Sequence, residues 1–191
     1  MIFKYAFITI VCGLTVVPVY AKMRRLYLTK KNEKTTALYE ISCAAFLTFA
    51  AALTALVLEP RWLFFWDDIP YFEKLANRLT TLNEINLVPF KMIRGFFSGE
   101  LDGNFIRNII GNIIMFVPFG ICMPLLWKRF RSVRTMLITA FAIPLFIETA
   151  QLFVGRSPDV DDIILNSAGI LAGGGIYIIA MNIYKKRTRK V

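Results

Sequence analysis

The sequence predicts an all-α fold, a polytopic membrane helix bundle with about five transmembrane helices. Of its 191 residues, 57% are hydrophobic and the mean hydropathy is +0.56, whereas soluble domains hold roughly 45–50% apolar residues. Five apolar runs approach the roughly 20 residues that a helix needs to cross a bilayer; they cover residues 2–20, 37–58, 105–127, 135–155 and 163–184. No domain boundary or internal repeat is evident, so residues 1–191 are predicted to form one membrane domain.

The positions of the basic residues predict an orientation. Fifteen of the 23 Lys and Arg residues lie in three segments, namely between the first two runs, between the third and fourth, and after the fifth. The positive-inside rule places such segments in the cytoplasm, which puts the N-terminus outside and the C-terminus inside. The net charge of +10 then indicates contact with anionic lipids at the cytoplasmic face rather than nucleic-acid binding.

The first two runs are predicted to be structural spans. The first has only Lys4 as a basic n-region, so we expect a retained span and not a cleaved signal peptide. In the second, Glu40 lies within a turn of the cytoplasmic start, where it is predicted to be solvated.

The long extracytoplasmic connection before the third run is predicted to carry interfacial helices. Its aromatic residues are typical of a membrane interface, and residues 69–82 mix apolar and charged residues at rough helical spacing. Residues 91–98 are predicted to form a short helix that lies on the headgroups. Two interpretations stay open: an exposed loop with aromatic anchors, or a partial lid over the outer ends of the spans.

The chain has no histidine, which removes Ser–His and Cys–His catalysis and most zinc sites. Its three cysteines all fall within the apolar runs, so we predict no disulfide framework. No metal-ligand spacing is present, and neither a metal nor a cofactor is predicted.

The fourth run carries an ionisable residue inside an apolar segment. Glu148 and Gln151 are three residues apart and share one helix face, with Glu148 roughly 10 Å below the outer mouth. An ionisable group in a span usually marks a functional site. Glu148 is therefore expected to be protonated or paired, and Arg156 is the candidate partner.

The fifth run shows one stripe of polar and small residues. Asp159, Asp162, Asn166, Gly169 and Gly173 are spaced by three or four residues, which places them on one helix face. The glycines form a G-x-x-x-G motif, predicted to allow close helix packing. The polar half continues the same face toward the outer mouth.

Two amides occupy one face at the outer end of the third run. Asn108 and Asn112 are four residues apart. They either bind a ligand or hydrogen-bond to neighbouring helices. Polar faces of three spans are thus predicted to converge in the outer leaflet.

This combination resembles the VanZ-like family. The resemblance covers residues 86–178 and rests on these positions: Asn86, Pro89, Phe90, Asn108, Gly111, Asn112, Phe116, Pro118, Gly120, Glu148, Gln151, Arg156, Asp159, Asp162, Asn166, Gly169 and Gly173. It implies a small multi-pass protein of the bacterial plasma membrane. The family is named for a member that is encoded with glycopeptide-resistance genes and lowers susceptibility to teicoplanin.

Three functional hypotheses follow. In the first, Asn108, Asn112, Gln151, Arg156 and Asn166 bind the headgroup of a membrane lipid or a lipid-linked cell-wall precursor at the outer leaflet. Teicoplanin carries an acyl chain, so a changed display of such molecules would weaken its membrane-anchored binding.

In the second hypothesis the protein is a membrane hydrolase or transferase. Glu148 would act as general base, while Asp159 or Asp162 positions water or a divalent cation. In the third, the same polar residues only hold three helices together. The sequence favours binding over catalysis, and it does not indicate an oligomeric state.

Overall fold

In the computed structural model, the described residues are 2–58, 73, 76, 86–91, 94–95, 98, 103–154 and 158–188. They form five long helices: α1 (Ile2–Lys31), α2 (Ala37–Val57), α3 (Gly103–Leu126), α4 (Val133–Phe153) and α5 (Val160–Thr188). A single 3₁₀ turn, Lys128–Arg131, joins α3 to α4.

Each of the five helices is long and apolar enough to cross a membrane. The predicted all-α class, the five spans and the multi-pass membrane location are therefore confirmed. The orientation, with the N-terminus outside, stays a prediction. The aromatic belt and most of the two interfacial helices lie outside the described residues. Within 90–98, Arg94 N–H donates to Phe90 O and Ser98 N–H to Arg94 O, at 2.9 and 3.0 Å.

The chain divides into two compact units, Met1–Glu59 and Pro60–Val191. The first contains α1 and α2, and the second contains α3, α4 and α5. The predicted polar site belongs to the second unit.

The first helix is longer than the first apolar run. It continues eleven residues past residue 20, to Lys31, through a basic segment that is predicted to be a connection between two spans. That segment contains neither Gly nor Pro, so nothing stops the helix at the end of the apolar run. The helix ends at Asn32 (φ 53°), where Asn32 N–H bonds Thr29 O and Glu33 N–H bonds Leu28 O, the hydrogen-bond pair of a Schellman cap.

Glu40 is not the solvated carboxylate that its position predicts. It accepts hydrogen bonds from the Tyr20 hydroxyl (2.5 Å), Arg24 Nε (3.0 Å) and the Thr35 hydroxyl (2.6 Å). The extension of α1 explains the difference, because Arg24 lies in the added turns and reaches across to α2.

In the second unit, α3 and α5 run parallel and touch through glycines. A Cβ added at Gly169 would lie 2.2 Å from Ile113 O, and one at Gly173 would lie 2.2 Å from Val117 O. Gly120 of α3 is equally tight, since its Cβ would meet Ile170 O at 1.9 Å. The two backbones therefore pack directly against each other, as the G-x-x-x-G spacing predicts.

Helix α4 packs against α5. It runs antiparallel to α3 and α5 and so leads the chain from the end of α3 back to the start of α5. It begins at a Ser132 cap, whose hydroxyl accepts Thr135 N–H at 3.1 Å. At the same corner, Arg131 Nε donates to Pro124 O at 2.9 Å, which satisfies a carbonyl near the end of α3. Along α4, Ala140, Pro144, Ile147, Glu148 and Gln151 are buried.

Candidate functional site

The first turn of α5 organises the polar end of the second unit. Asp159 precedes the helix, and its Oδ1 accepts Asp161 N–H at 2.8 Å. Its carbonyl accepts Asp162 N–H at 3.1 Å. These are the bonds of a helix N-cap, and an acidic residue there also interacts favourably with the positive end of the helix dipole.

A distant segment pairs with this cap. Asn86 and Asp159 form an isolated parallel bridge, in which Asn86 N–H bonds Pro158 O and Val160 N–H bonds Asn86 O, both at 3.1 Å. The side chains join as well, because Asn86 Nδ2 donates to Asp159 Oδ1 at 2.8 Å. Residues 86–90 are thereby fixed against the start of α5.

Asp161 fixes the other end of that segment. Its side chain is only 2% exposed, and its Oδ1 accepts Phe90 N–H. Phe90 has a φ of 61°, a left-handed conformation that is uncommon for a bulky residue. The buried carboxylate thus stabilises a strained turn, and it stands beside the two aspartates that the sequence analysis selected.

Glu148 connects α4 to the same cap. Its side chain is 3% exposed, and its Oε2 accepts the backbone N–H of Asp159 at 3.1 Å. Gln151, three residues later, is also buried. Arg156, the partner predicted for Glu148, lies outside the described residues.

Helix α3 contributes through Asn112, whose Nδ2 donates to Asp162 Oδ1. Both side chains are half-buried. Asn108, one turn earlier on α3, is exposed. The structure therefore brings Asn112 into the polar cluster and leaves Asn108 at its edge.

One turn below Asp162, two polar side chains lie deep in the unit. Asn166 is 4% exposed and Ser167 is 3% exposed. Within the described part of the chain, Asn166 Oδ1 and Ser167 Oγ have no hydrogen-bond partner. An unpaired buried polar group costs about 1–3 kcal/mol, so this pair is the least explained feature of the cluster.

Hydrogen bonds join four of the predicted site residues, Asn112 to Asp162 and Glu148 to Asp159. The buried Gln151 and Asn166 lie one turn along α4 and α5 from Glu148 and Asp162. The sequence pattern assigns no role to Asp161, Ser167 or Asn86. Among the described residues, no group of three or more His, Cys, Asp or Glu side chains is arranged to hold a metal ion. The carboxylates instead accept backbone and amide N–H groups.

Comparisons with known proteins show which family the chain belongs to. The model of the VanZ/LLP1 family matches residues 43–181, a range that begins in α2 and so extends beyond the predicted core of residues 86–178. An uncharacterized membrane protein of Bacillus subtilis strain 168, YwnJ, is 34% identical over 62 residues.

That similarity covers 32% of this chain and 44% of YwnJ, so the chain spans less than half the length of this curated relative. No solved structure matches. A bacterial relative is consistent with the predicted bacterial membrane. Because the family model covers well over half of its residues, the chain belongs to the VanZ/LLP1 family.

Proposed function

We propose that the polar end of the second unit binds the headgroup of an outer-leaflet lipid or of a lipid-linked cell-wall precursor. The observation that carries this proposal is the pair of deeply buried polar atoms, Asn166 Oδ1 and Ser167 Oγ, which lack a partner among the described residues. Buried polar groups in proteins are nearly always hydrogen-bonded, and an exception calls for a bound molecule or another explanation.

The chemistry of the two atoms points to hydrogen-bond donors on the ligand. An amide oxygen accepts, and a hydroxyl both accepts and donates. Hydroxyl or ammonium groups, as found on glycerol, sugar and ethanolamine headgroups, would satisfy both atoms. The carboxylate of Asp162, one helical turn before Asn166, favours the same donors.

The surrounding residues provide a rigid rim for such a headgroup. Asp159 caps α5, Asp161 holds the turn at Phe90, and Glu148 ties α4 to the cap. A site whose side chains are already ordered binds without a large entropic cost. Asn108, Gln151 and Arg156 stay predicted ligand contacts, with Arg156 assigned to a phosphate.

Catalysis has less support. A general base needs a carboxylate that can reach a substrate proton, but Glu148 Oε2 accepts the Asp159 backbone N–H and Asp159 Oδ1 accepts two donors. These bonds give both residues a structural role. The hydrolase or transferase hypothesis, with Glu148 as base and Asp159 or Asp162 as helper, therefore ranks second.

The link to antibiotics is part of the same proposal. A protein that binds or alters outer-leaflet headgroups would change the surface on which an acylated glycopeptide such as teicoplanin anchors. We expect reduced susceptibility to teicoplanin and a smaller effect on vancomycin, which has no acyl chain.

The test replaces Asn166 with Leu, which has a similar volume and no polar atom. We expect Asn166→Leu to abolish both the co-purification of a polar lipid, measured by native mass spectrometry, and any difference in teicoplanin susceptibility. Its thermal stability should be unchanged or higher, because an unpaired buried group is removed.

The matched control is Ala168→Leu, an exposed position of the same turn, which should leave lipid binding intact. Equal lipid retention by wild type and Asn166→Leu would overturn the proposal. A marked loss of stability in Asn166→Leu would instead identify the cluster as purely structural. Membrane abundance of each variant is checked by quantitative blotting.

A further inference from the structure

The opposite end of the second unit contains a cavity that the proposed headgroup site does not use. It has a volume of about 210 Å³ and lies where the α3–α4 connection meets α5. Its lining includes Pro124, Phe130, Arg131, Val133, Leu137 and Gly175. The positive-inside rule assigns this end to the cytoplasm.

The cavity opens toward hydrocarbon. Val133 and Leu137 of α4 and Ile178 of α5 line it and are 68%, 44% and 49% exposed. On helices that span a membrane, exposed apolar side chains face lipid tails. An acyl chain can therefore enter from the side without crossing a polar barrier.

The floor of the cavity depends on a glycine. A Cβ added at Gly175 would have no atom within 4 Å, whereas one at Gly173 would lie 2.2 Å from Val117 O. Gly173 therefore serves helix packing, while the missing side chain at Gly175 leaves open space. Gly173 and Gly175, which lie in one run of three glycines, therefore have different roles.

The rim of the cavity is cationic and aromatic. The connection carries Lys128, Arg129 and Arg131, and Arg134 follows in the first turn of α4; all four are exposed, and residues 127–134 include no acidic residue. Arg131 Nε donates to Pro124 O, which orients the guanidinium and leaves its other N–H groups available to a second acceptor. Trp127 packs edge-on against Phe130 at 6.2 Å, an arrangement suited to the headgroup depth.

We infer that this cavity is a binding site for an anionic phospholipid of the cytoplasmic leaflet, with an acyl chain over Gly175 and the phosphate at Arg131. The charge of the rim selects the headgroup, and the apolar lining selects the chain. The inference is independent of the headgroup site at the other end, and either can fail alone.

The fluorescence of Trp127 can report on lipid in the cavity, because Trp127 contacts Phe130 and Phe130 lines the cavity. The test uses the full chain with Trp62 and Trp66 changed to Phe, reconstituted in phosphatidylcholine vesicles. Brominated phosphatidylglycerol or brominated phosphatidylcholine is added at equal fractions, and quenching of Trp127 fluorescence is measured. We expect the anionic lipid to quench more strongly.

Two pairs of variants test the two contacts. Arg131→Gln should lower the preference for phosphatidylglycerol more than about tenfold, because it removes a hydrogen bond to the charged phosphate in addition to the roughly fivefold effect of one basic residue near a membrane surface. Arg129→Gln removes the same charge from the same turn outside the cavity lining and should lower the preference by no more than about fivefold. Gly175→Leu should abolish the preference, whereas Ala172→Leu, an exposed position of the same helix, should preserve it.

Thermal unfolding in detergent verifies that each variant is folded. If Gly175→Leu does not fold, Val133→Phe fills the cavity from the opposite wall and carries the same expectation. Equal losses in Arg129→Gln and Arg131→Gln would overturn the inference, because they indicate non-specific attraction. Cross-linked dimers that disappear in Gly175→Leu, with quenching unchanged, would also overturn it and assign the cavity to a second copy of the chain.

Discussion

The stripe of residues 159–173, at the start of α5, has a polar upper half and a glycine-containing lower half that meet different physical demands. In the lower half, Gly169 and Gly173 contact carbonyl oxygens of α3 with no room for a methyl group. In the upper half, Asp159 and Asp162 hydrogen-bond to the segment at Asn86 and to Asn112. Close packing excludes ligands, whereas the polar half leaves buried groups that a ligand can satisfy.

One helix face thus serves as the packing surface and also carries the proposed headgroup site. The glycine contact fixes the distance between α3 and α5, and that distance sets where Asn112 meets Asp162. A change in the lower half should therefore disturb the whole unit. A change in the upper half should act locally.

The largest effect is expected at the glycine contact. Gly120→Ala and Gly173→Ala would place a Cβ 1.9 Å and 2.2 Å from backbone oxygens, which only separation of the helices relieves. We expect at least the ~1–3 kcal/mol typical of overpacking, measured as a lower thermal midpoint in detergent.

Gly175→Ala is the matched control, since its Cβ would meet nothing within 4 Å. It should be neutral or stabilising by up to ~1 kcal/mol, because Ala is the better helix former. If all three substitutions left the stability equally unchanged, the direct backbone contact between α3 and α5 would be contradicted.

How far the sequence predicts this architecture depends on the range of each interaction. The spacing of Gly169 and Gly173 is local to one helix, so their packing role follows from periodicity. Composition likewise predicts the five spans, which the structure confirms. The continuation of α1 to Lys31 was missed because hydropathy marks where a membrane ends and not where a helix ends.

Long-range pairs are not visible in periodicity. The bond from Asn86 to Asp159 joins residues 73 positions apart, and Phe90 to Asp161 joins residues 71 apart. Asp161 lies off the polar stripe, so nothing local distinguishes it from a solvated acid. Gly120 has no periodic partner on α3, and its close approach is set entirely by α5.

An intermediate effect on stability is expected at Asp159, the N-cap of α5. Two substitutions there distinguish the contribution of its charge from that of its hydrogen bonds. Asp159→Ala removes the acceptor for Asp161 N–H and Asn86 Nδ2 and should cost about 1–2 kcal/mol, as for other N-caps. Asp159→Asn keeps a side-chain oxygen, and Asn caps helices as well as Asp does.

We therefore expect Asp159→Asn to retain nearly all of the stability, measured by thermal unfolding, and to retain lipid co-purification. A stable Asp159→Asn protein that has lost its effect on teicoplanin susceptibility would show that the charge itself is needed. That result would move the second hypothesis, in which Asp159 assists chemistry, ahead of headgroup binding.

The smallest effect on stability is expected at Ser167. Ser167 is 3% exposed, and its hydroxyl has no hydrogen-bond partner among the described residues, so Ser167→Ala deletes no described hydrogen bond. The unfolding midpoint of the lipid-free protein should stay level or rise slightly, since a buried polar group without a partner opposes folding. The headgroup-bound protein should lose stability on the same substitution, by the ~0.5–1.5 kcal/mol of one hydrogen bond. Stability changes of opposite sign with and without lipid would show that Ser167 is part of the binding surface. Equal losses of stability in both states would show that Ser167 serves only the packing of α5.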